Sequence, residues 1–116
     1  MYHSLSEKEA QQLQVELPAA QVISGMAETF KTLSDPTRVR ILYLLSRKEL
    51  CVHDIAQLLD ISQPAASHHL RVLRMLRLVR TRRAGRSTYY ALDDEHVVQL
   101  FSCSHDHVVH RSLPPE

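Results

Sequence analysis

The sequence predicts a mainly α-helical chain carrying one β-hairpin, and three observations predict it. Apolar residues recur at helical spacing through most of the chain. Helix-starting combinations of a capping side chain and proline, Asp35 with Pro36 and Ser62 with Pro64, punctuate it. Between Leu78 and Leu92 the pattern switches to β-branched and aromatic residues on either side of Arg83-Ala84-Gly85-Arg86.

The elements follow in order. Ser6 to Leu17 suits a short helix, interrupted at Pro18. From Ala19 to Leu33, Val22, Ile23, Met26, Phe30 and Leu33 repeat at helical spacing. Asp35-Pro36 then caps and opens "TRVRILYLLS", a helix apolar on one side. "CVHDIAQLLD" reads as a short helix with Ile55, Leu58 and Leu59 facing inward. "SQPAASHHLRVLRML" opens the next, capped by Ser62, with Leu70, Leu73 and Leu76 packing.

Two short helices joined by a tight turn form a helix-turn-helix, here without a glycine in the turn. "LVRTRRAGRSTYYAL" reads as a hairpin with a basic tip. Asp93 or Asp94 caps a last helix through about His110, and "RSLPPE" is a polar tail that cannot continue it. The expected fold is thus a winged helix-turn-helix, dimerising through its N- and C-terminal helices. It is read as one domain over 1–116, with dimerisation helices in 1–34, a DNA-binding core in 35–92 and its wing at about 78–92. A metal-binding and dimerisation helix follows at 93–110, then a tail at 111–116.

The 116 residues are enough for one modest core, and 44% hydrophobic with 23% charged residues is ordinary globular composition. No apolar run reaches bilayer length, and the polar "MYHSLSEKEAQQLQ" lacks the regions of a signal peptide, so no membrane partner is expected. Two cysteines are too few for a disulfide framework, which makes a reducing cytoplasm the expected compartment.

Net charge is only +1, but it is unevenly spread. Ile61 to Leu92 contains seven arginines (71, 74, 77, 80, 82, 83 and 86) and no acid, which leaves the rest of the chain at −6. Such a stripe calls for a polyanion, and double-stranded DNA fits the helix-turn-helix. In that motif the second helix enters the major groove by its N-terminus. Here that end offers Ser62, Gln63, Ser67, His68 and His69 among small alanines, suited to base edges, with only one of the two histidines expected to touch DNA. Arg71 and Arg74 lie where phosphates would be, and the wing arginines Arg82, Arg83 and Arg86 could reach phosphates or the neighbouring minor groove.

The stretch "DEHVVQLFSCSHDHVVH" holds four of the eight histidines. On a helical wheel starting at His96, Leu100, Cys103, His107 and His110 fall within about 40° of it, whereas Val97, Phe101 and Val108 fall near 100–140° and would pack on the domain. His105 lies near 180°, off the donor face. His96 and His107 are roughly 16 Å apart along the axis, too far for one ion. His107 with His110 can share an ion, and so can Asp94 with His96 if Asp94 is the N-cap. Each helix therefore holds two half-sites. Two copies packed antiparallel would join Asp94 and His96 of one chain to His107 and His110 of the other, giving two equivalent sites. One carboxylate oxygen and three imidazole nitrogens suit tetrahedral Zn(II), and Co(II) would also fit. Cys103, midway between the half-sites, is expected at the interface.

These segments resemble the ArsR/SmtB family of metal-sensing repressors: "LSDPTRVRILYLL", "ELCVHDIAQLL", "SQPAASHHLRVLR", the "GRSTYYAL" wing strand, and D-x-H followed by H-x-x-H on the last helix. The resemblance spans about Met26 to His110. It implies a homodimer whose apo form binds an operator and which metal releases, derepressing efflux or sequestration genes. It implies Asp94, His96, His107 and His110 as ligands of Zn(II) or Co(II). A second family site uses "ELCVCDL" with N-terminal cysteines. Here one of those cysteines is replaced by His53 and the N-terminal arm offers only His3, so a thiolate-rich site is not expected. A mixed second candidate site would draw on Cys51, His53, Asp54 and His3.

The alternative function is a thiol-redox-sensing repressor of the same fold using Cys51 and Cys103. An enzyme is not expected. There is no H-E-x-x-H, two glycines make no phosphate loop, and four protein ligands leave no open position on zinc. No organic cofactor is expected.

Overall fold

A computed structural model describes residues 4–112 and 114. The chain divides into two compact units, 1–30 and 31–116.

In the first unit α1 spans Glu7–Glu16 and α2, Ala20–Thr32, begins. A reciprocal capping box starts α1. The Glu9 backbone N–H donates to Ser6 Oγ over 3.1 Å, and the Ser6 N–H donates to Glu9 Oε1 over 3.0 Å. Those bonds hold the Glu9 carboxyl below the usual carboxylate range, the backbone bond to Ser6 being the largest cause. α1 buries no residue, and Leu13, Leu17, Val22, Ile23, Met26 and Phe30 are all exposed.

The second unit holds the core. α3 (Pro36–Arg47) starts at Asp35, whose Oδ1 accepts from the Thr37 N–H over 2.8 Å and the Arg38 N–H over 3.3 Å. It buries Ile41, Leu42 and Leu45. A two-residue strand, β1 (Leu50–Cys51), precedes α4 (Val52–Leu59). The sequence places Cys51 at the start of a helix instead, since two residues carry no period-2 signal. The strand forms because β3 has an open edge for it: Leu50 pairs with Tyr90 and Cys51 with Tyr89.

α5 (Gln63–Met75) follows α4 without a glycine. Asp60 supplies the left-handed turn residue, with φ 54°, a conformation that aspartate tolerates better than most residues. Ser62 Oγ then accepts from the Ala65 N–H over 3.1 Å. The hairpin is β2 (Val79–Ala84) against β3 (Ser87–Leu92), in a sheet ordered β1-β3-β2. Its turn is the pair Gly85-Arg86, with Gly85 at φ +63°, so Arg83 and Ala84 belong to the strand. Asp94 caps α6 (Glu95–Arg111) by accepting from the Val97 N–H over 3.0 Å.

Ile41, Leu42, Ile55, Leu70, Leu73 and Val79 are the largest fully buried side chains. Two packing expectations need correction. Leu58 points outward, at 59% exposure, and Ala56 takes its place in the core. An eight-residue helix buries one stripe, here Val52, Ile55, Ala56 and Leu59, and Leu58 lies roughly 110° from its centre. On α6, Val97, Val98 and Phe101 pack against the core, whereas Val108 is exposed. It sits about 16 Å further along the axis than Val97, past the core's reach.

Candidate nucleic-acid interface and metal-binding helix

The reader is the N-terminal half of α5, anchored from behind by Ala66, Leu70 and Leu73. Burying those three fixes which residues face out. Ser62, Gln63, His68, Arg71 and Arg74 are exposed, and Ser67 is half-buried. Ser62 uses its oxygen as the helix cap. Gln63 Nε2 lies 3.1 Å from His53 Nδ1 of α4, so the first residue of the reader is tethered to the preceding helix.

The two histidines differ. His68 is exposed, while His69 is half-buried and accepts at Nδ1 from Arg38 Nε over 3.1 Å. Burial pushes the His69 pKa down, with the Arg38 and His68 charges adding to it and Asp35 opposing. Burial by itself would raise the Asp35 carboxyl. The N–H donors of Arg38 and Thr37 outweigh it, aided by the His69 and Arg38 charges, and the net shift is downward. Arg38 is therefore a basic residue beside the reader that the sequence did not single out. Its one signal is its place three residues after the N-cap Asp35.

The wing arginines also divide. Arg83 and Arg86 are exposed, with Arg83 Nη1 3.5 Å from Thr88 Oγ1. Arg82 has a carboxylate partner within the chain. Its Nε and Nη2 both donate to Glu49 Oε1, over 2.9 and 2.7 Å, and its guanidinium lies 5.3 Å from the Tyr89 ring centroid. Glu49 was legible only as part of "ELCVHD", and nothing in the sequence links it to a residue 33 positions away.

On α6 the two half-sites are separate. At the first, Asp94 spends Oδ1 on the cap, and its Oδ2 lies 3.8 Å from Nδ1 of His96, whose side chain is 93% exposed. At the other end His107 and His110 are exposed. Among the described residues of one chain, no three His, Cys, Asp or Glu side chains gather closely enough to hold a metal ion. His105 turns away from the donors, with its ring 6.2 Å from that of Tyr43 and its Nδ1 3.2 Å from Asp106 Oδ1.

At the second candidate site the Cys51 thiol donates to Asp54 Oδ2 over 3.2 Å. These two positions, three apart at the start of α4, share a face. His53 does not join them and faces Gln63. His3 lies outside the described residues. Cys51 and Cys103 are both free thiols, the first half-buried and the second exposed.

A helix-turn-helix whose second helix, with the β-wing that follows it, carries arginines and no acid defines a DNA-reading protein. Residues 35–81 match the family described as "Bacterial regulatory protein, arsR family". The chain is 44% identical over 101 residues to the transcriptional repressor SmtB homolog of Synechocystis, covering 87% of this chain and 76% of that one. It is 53% identical over 76 residues to the cadmium resistance transcriptional regulatory protein CadC homolog of Staphylococcus aureus, covering 65% of this chain and 63% of the relative. In structure it is similar to the homodimeric winged helix-turn-helix DNA-binding domain of Mb0332 from Mycobacterium bovis. That match has a TM-score of 0.73 and 28% identity, and covers 98% of this chain and 94% of the other. The chain belongs to the ArsR/SmtB family. It is a DNA-binding transcriptional regulator and not an enzyme.

Proposed function

We propose that the chain is a metal-responsive repressor of the cytoplasm. Its apo homodimer holds operator DNA, and Zn(II), or Co(II), bound between the C-terminal helices weakens that hold and derepresses metal efflux or sequestration genes. The observation that carries this reading is the arrangement of α6. Asp94 and His96 stand together at one end, and His107 and His110 are exposed at the other. Asp94 keeps Oδ2 free of the cap, so one carboxylate oxygen and three imidazoles are on offer, a donor set that fits zinc. One helix cannot close around an ion, and two can.

Dimerisation has independent support. Val22, Ile23, Met26 and Phe30 form an exposed apolar stripe at helical spacing on α2, which a second copy would cover. Metal bridging two chains favours one quaternary arrangement over others, and DNA must then weaken metal binding by the factor by which metal weakens DNA binding. Fluorescence anisotropy on the duplex upstream of the chain's own gene, first in EDTA and then with added zinc at fixed salt, tests the reading. Tight binding that zinc reverses supports it. Tight binding indifferent to zinc removes the metal effector and turns attention to the thiols of Cys51 and Cys103.

A further inference from the structure

One arginine of the wing already has a carboxylate partner on the protein surface, in a pair whose side chains are 59% and 40% exposed. Arg82 stands across from Tyr89 in the β2-β3 register, and Cys51 of β1 pairs with Tyr89 from the other side. Glu49, two residues before Cys51, thereby reaches over the central strand to Arg82. Both guanidinium bonds, 2.9 and 2.7 Å, end on the same oxygen, Oε1, while the cation lies over the Tyr89 ring. Among the described residues this is the one arginine paired with a carboxylate.

We infer that Glu49 is a positioning residue of the DNA interface. It withholds Arg82 from the phosphates, so that the wing's contacts fall to Arg83 and Arg86. To reach a phosphate, Arg82 would have to give up two charge-assisted hydrogen bonds and its aromatic platform. It would also leave an unpaired carboxylate close to a polyanion, within the Debye length of about 8 Å at physiological salt. Phosphate contacts govern the sequence-independent part of affinity. Withholding one cation per protomer keeps that part low, so an effector with a coupling of only about 5- to 150-fold can still empty the site.

The inference rests on the DNA-binding role and is tested beside it. Glu49→Gln, Arg82→Gln and the double variant are compared with the wild type by anisotropy across a salt series. The probes are the duplex upstream of the chain's own gene and an unrelated duplex of equal length. Glu49→Gln should bind both more tightly, and its salt dependence should steepen by about 0.9 per protomer. For a dimer that is about 1.8, a further ~12-fold change in affinity between about 50 and 200 mM salt. Arg82→Gln alone frees the Glu49 carboxylate and should bind both duplexes more weakly, whereas the double variant, which removes both charges, should return to the wild-type slope. A flattened slope in the double variant would show Arg82 already on a phosphate and overturn the inference. So would weaker binding by Glu49→Gln at an unchanged slope. Failure of the wild type to bind either duplex would instead remove the DNA-binding role itself.

Discussion

Arg38 Nε donates to Nδ1 of His69 over 3.1 Å, joining the first turn of α3 to the half-buried flank of the recognition helix. The bond requires a neutral ring with its proton on Nε2, because an imidazolium has no lone pair to accept it. A structural contact is thereby tied to one protonation state.

That tie predicts an acid sensitivity. His69 is depressed below 6.5 in the fold, so between that value and its native pKa the unfolded chain binds more protons than the folded one. Stability then rises with pH across this window, is complete above about 6.5 and is lost as pH falls below it. Asp35, depressed below 3.8, contributes stability above that value and loses it only in stronger acid. Melting followed from pH 7.5 to 5 should show the melting temperature fall below about pH 6.5. His69→Gln should flatten it. A curve of equal slope in that variant would sever the link to His69.

The metal site proposed on α6 predicts complementation between chains. His96→Ala and His107→Ala should each retain apo DNA binding, and each homodimer should lose its zinc response. Mixed and refolded together they form heterodimers in which one of the two sites regains all four ligands. Zinc-dependent release should reappear in part in the mixture, within the typical ~5- to 150-fold range. No recovery on mixing, or a response persisting in His107→Ala alone, would rule out the cross-chain assignment.

Reader and wing predict different signatures on DNA. Replacing Arg71 or Arg74 by Gln, or Arg83 with Arg86, should weaken binding on every sequence. The salt slope should flatten by about 0.9 for each phosphate left without its arginine. Gln63→Ala should instead erode discrimination between operator and unrelated DNA by about 1–3 kcal/mol, with little change in slope. The two classes separate in one titration series. A uniform drop in affinity from Gln63→Ala would make it a phosphate contact.

Packing predicts a contrast between leucines of successive helices. Leu73 is fully buried, and Leu73→Ala should cost about 2–5 kcal/mol in urea unfolding. Leu58 is 59% exposed, and Leu58→Ala should change stability by no more than about 0.5 kcal/mol. A large destabilisation at Leu58 would show that a partner surface covers it in solution.

By itself the sequence determined the helix starts, the recognition helix, the hairpin and the donor pairs on α6. Each is a local property: Asp35 and Ser62 cap the helices they precede, Gly85 makes the turn, and 100° per residue groups His96 with His107. Tertiary structure decided what those side chains do once neighbours arrive. It turned Leu58 out and Ala56 in, because the core admits one stripe of a short helix. It gave β3 a second partner in Leu50–Cys51, drew Glu49 onto Arg82, and set Arg38 against His69. The last two pairs lie 33 and 31 positions apart, and no local period links residues so separated. Only the closing of the sheet and the packing of α3 and α5 into one core bring such side chains within hydrogen-bonding distance.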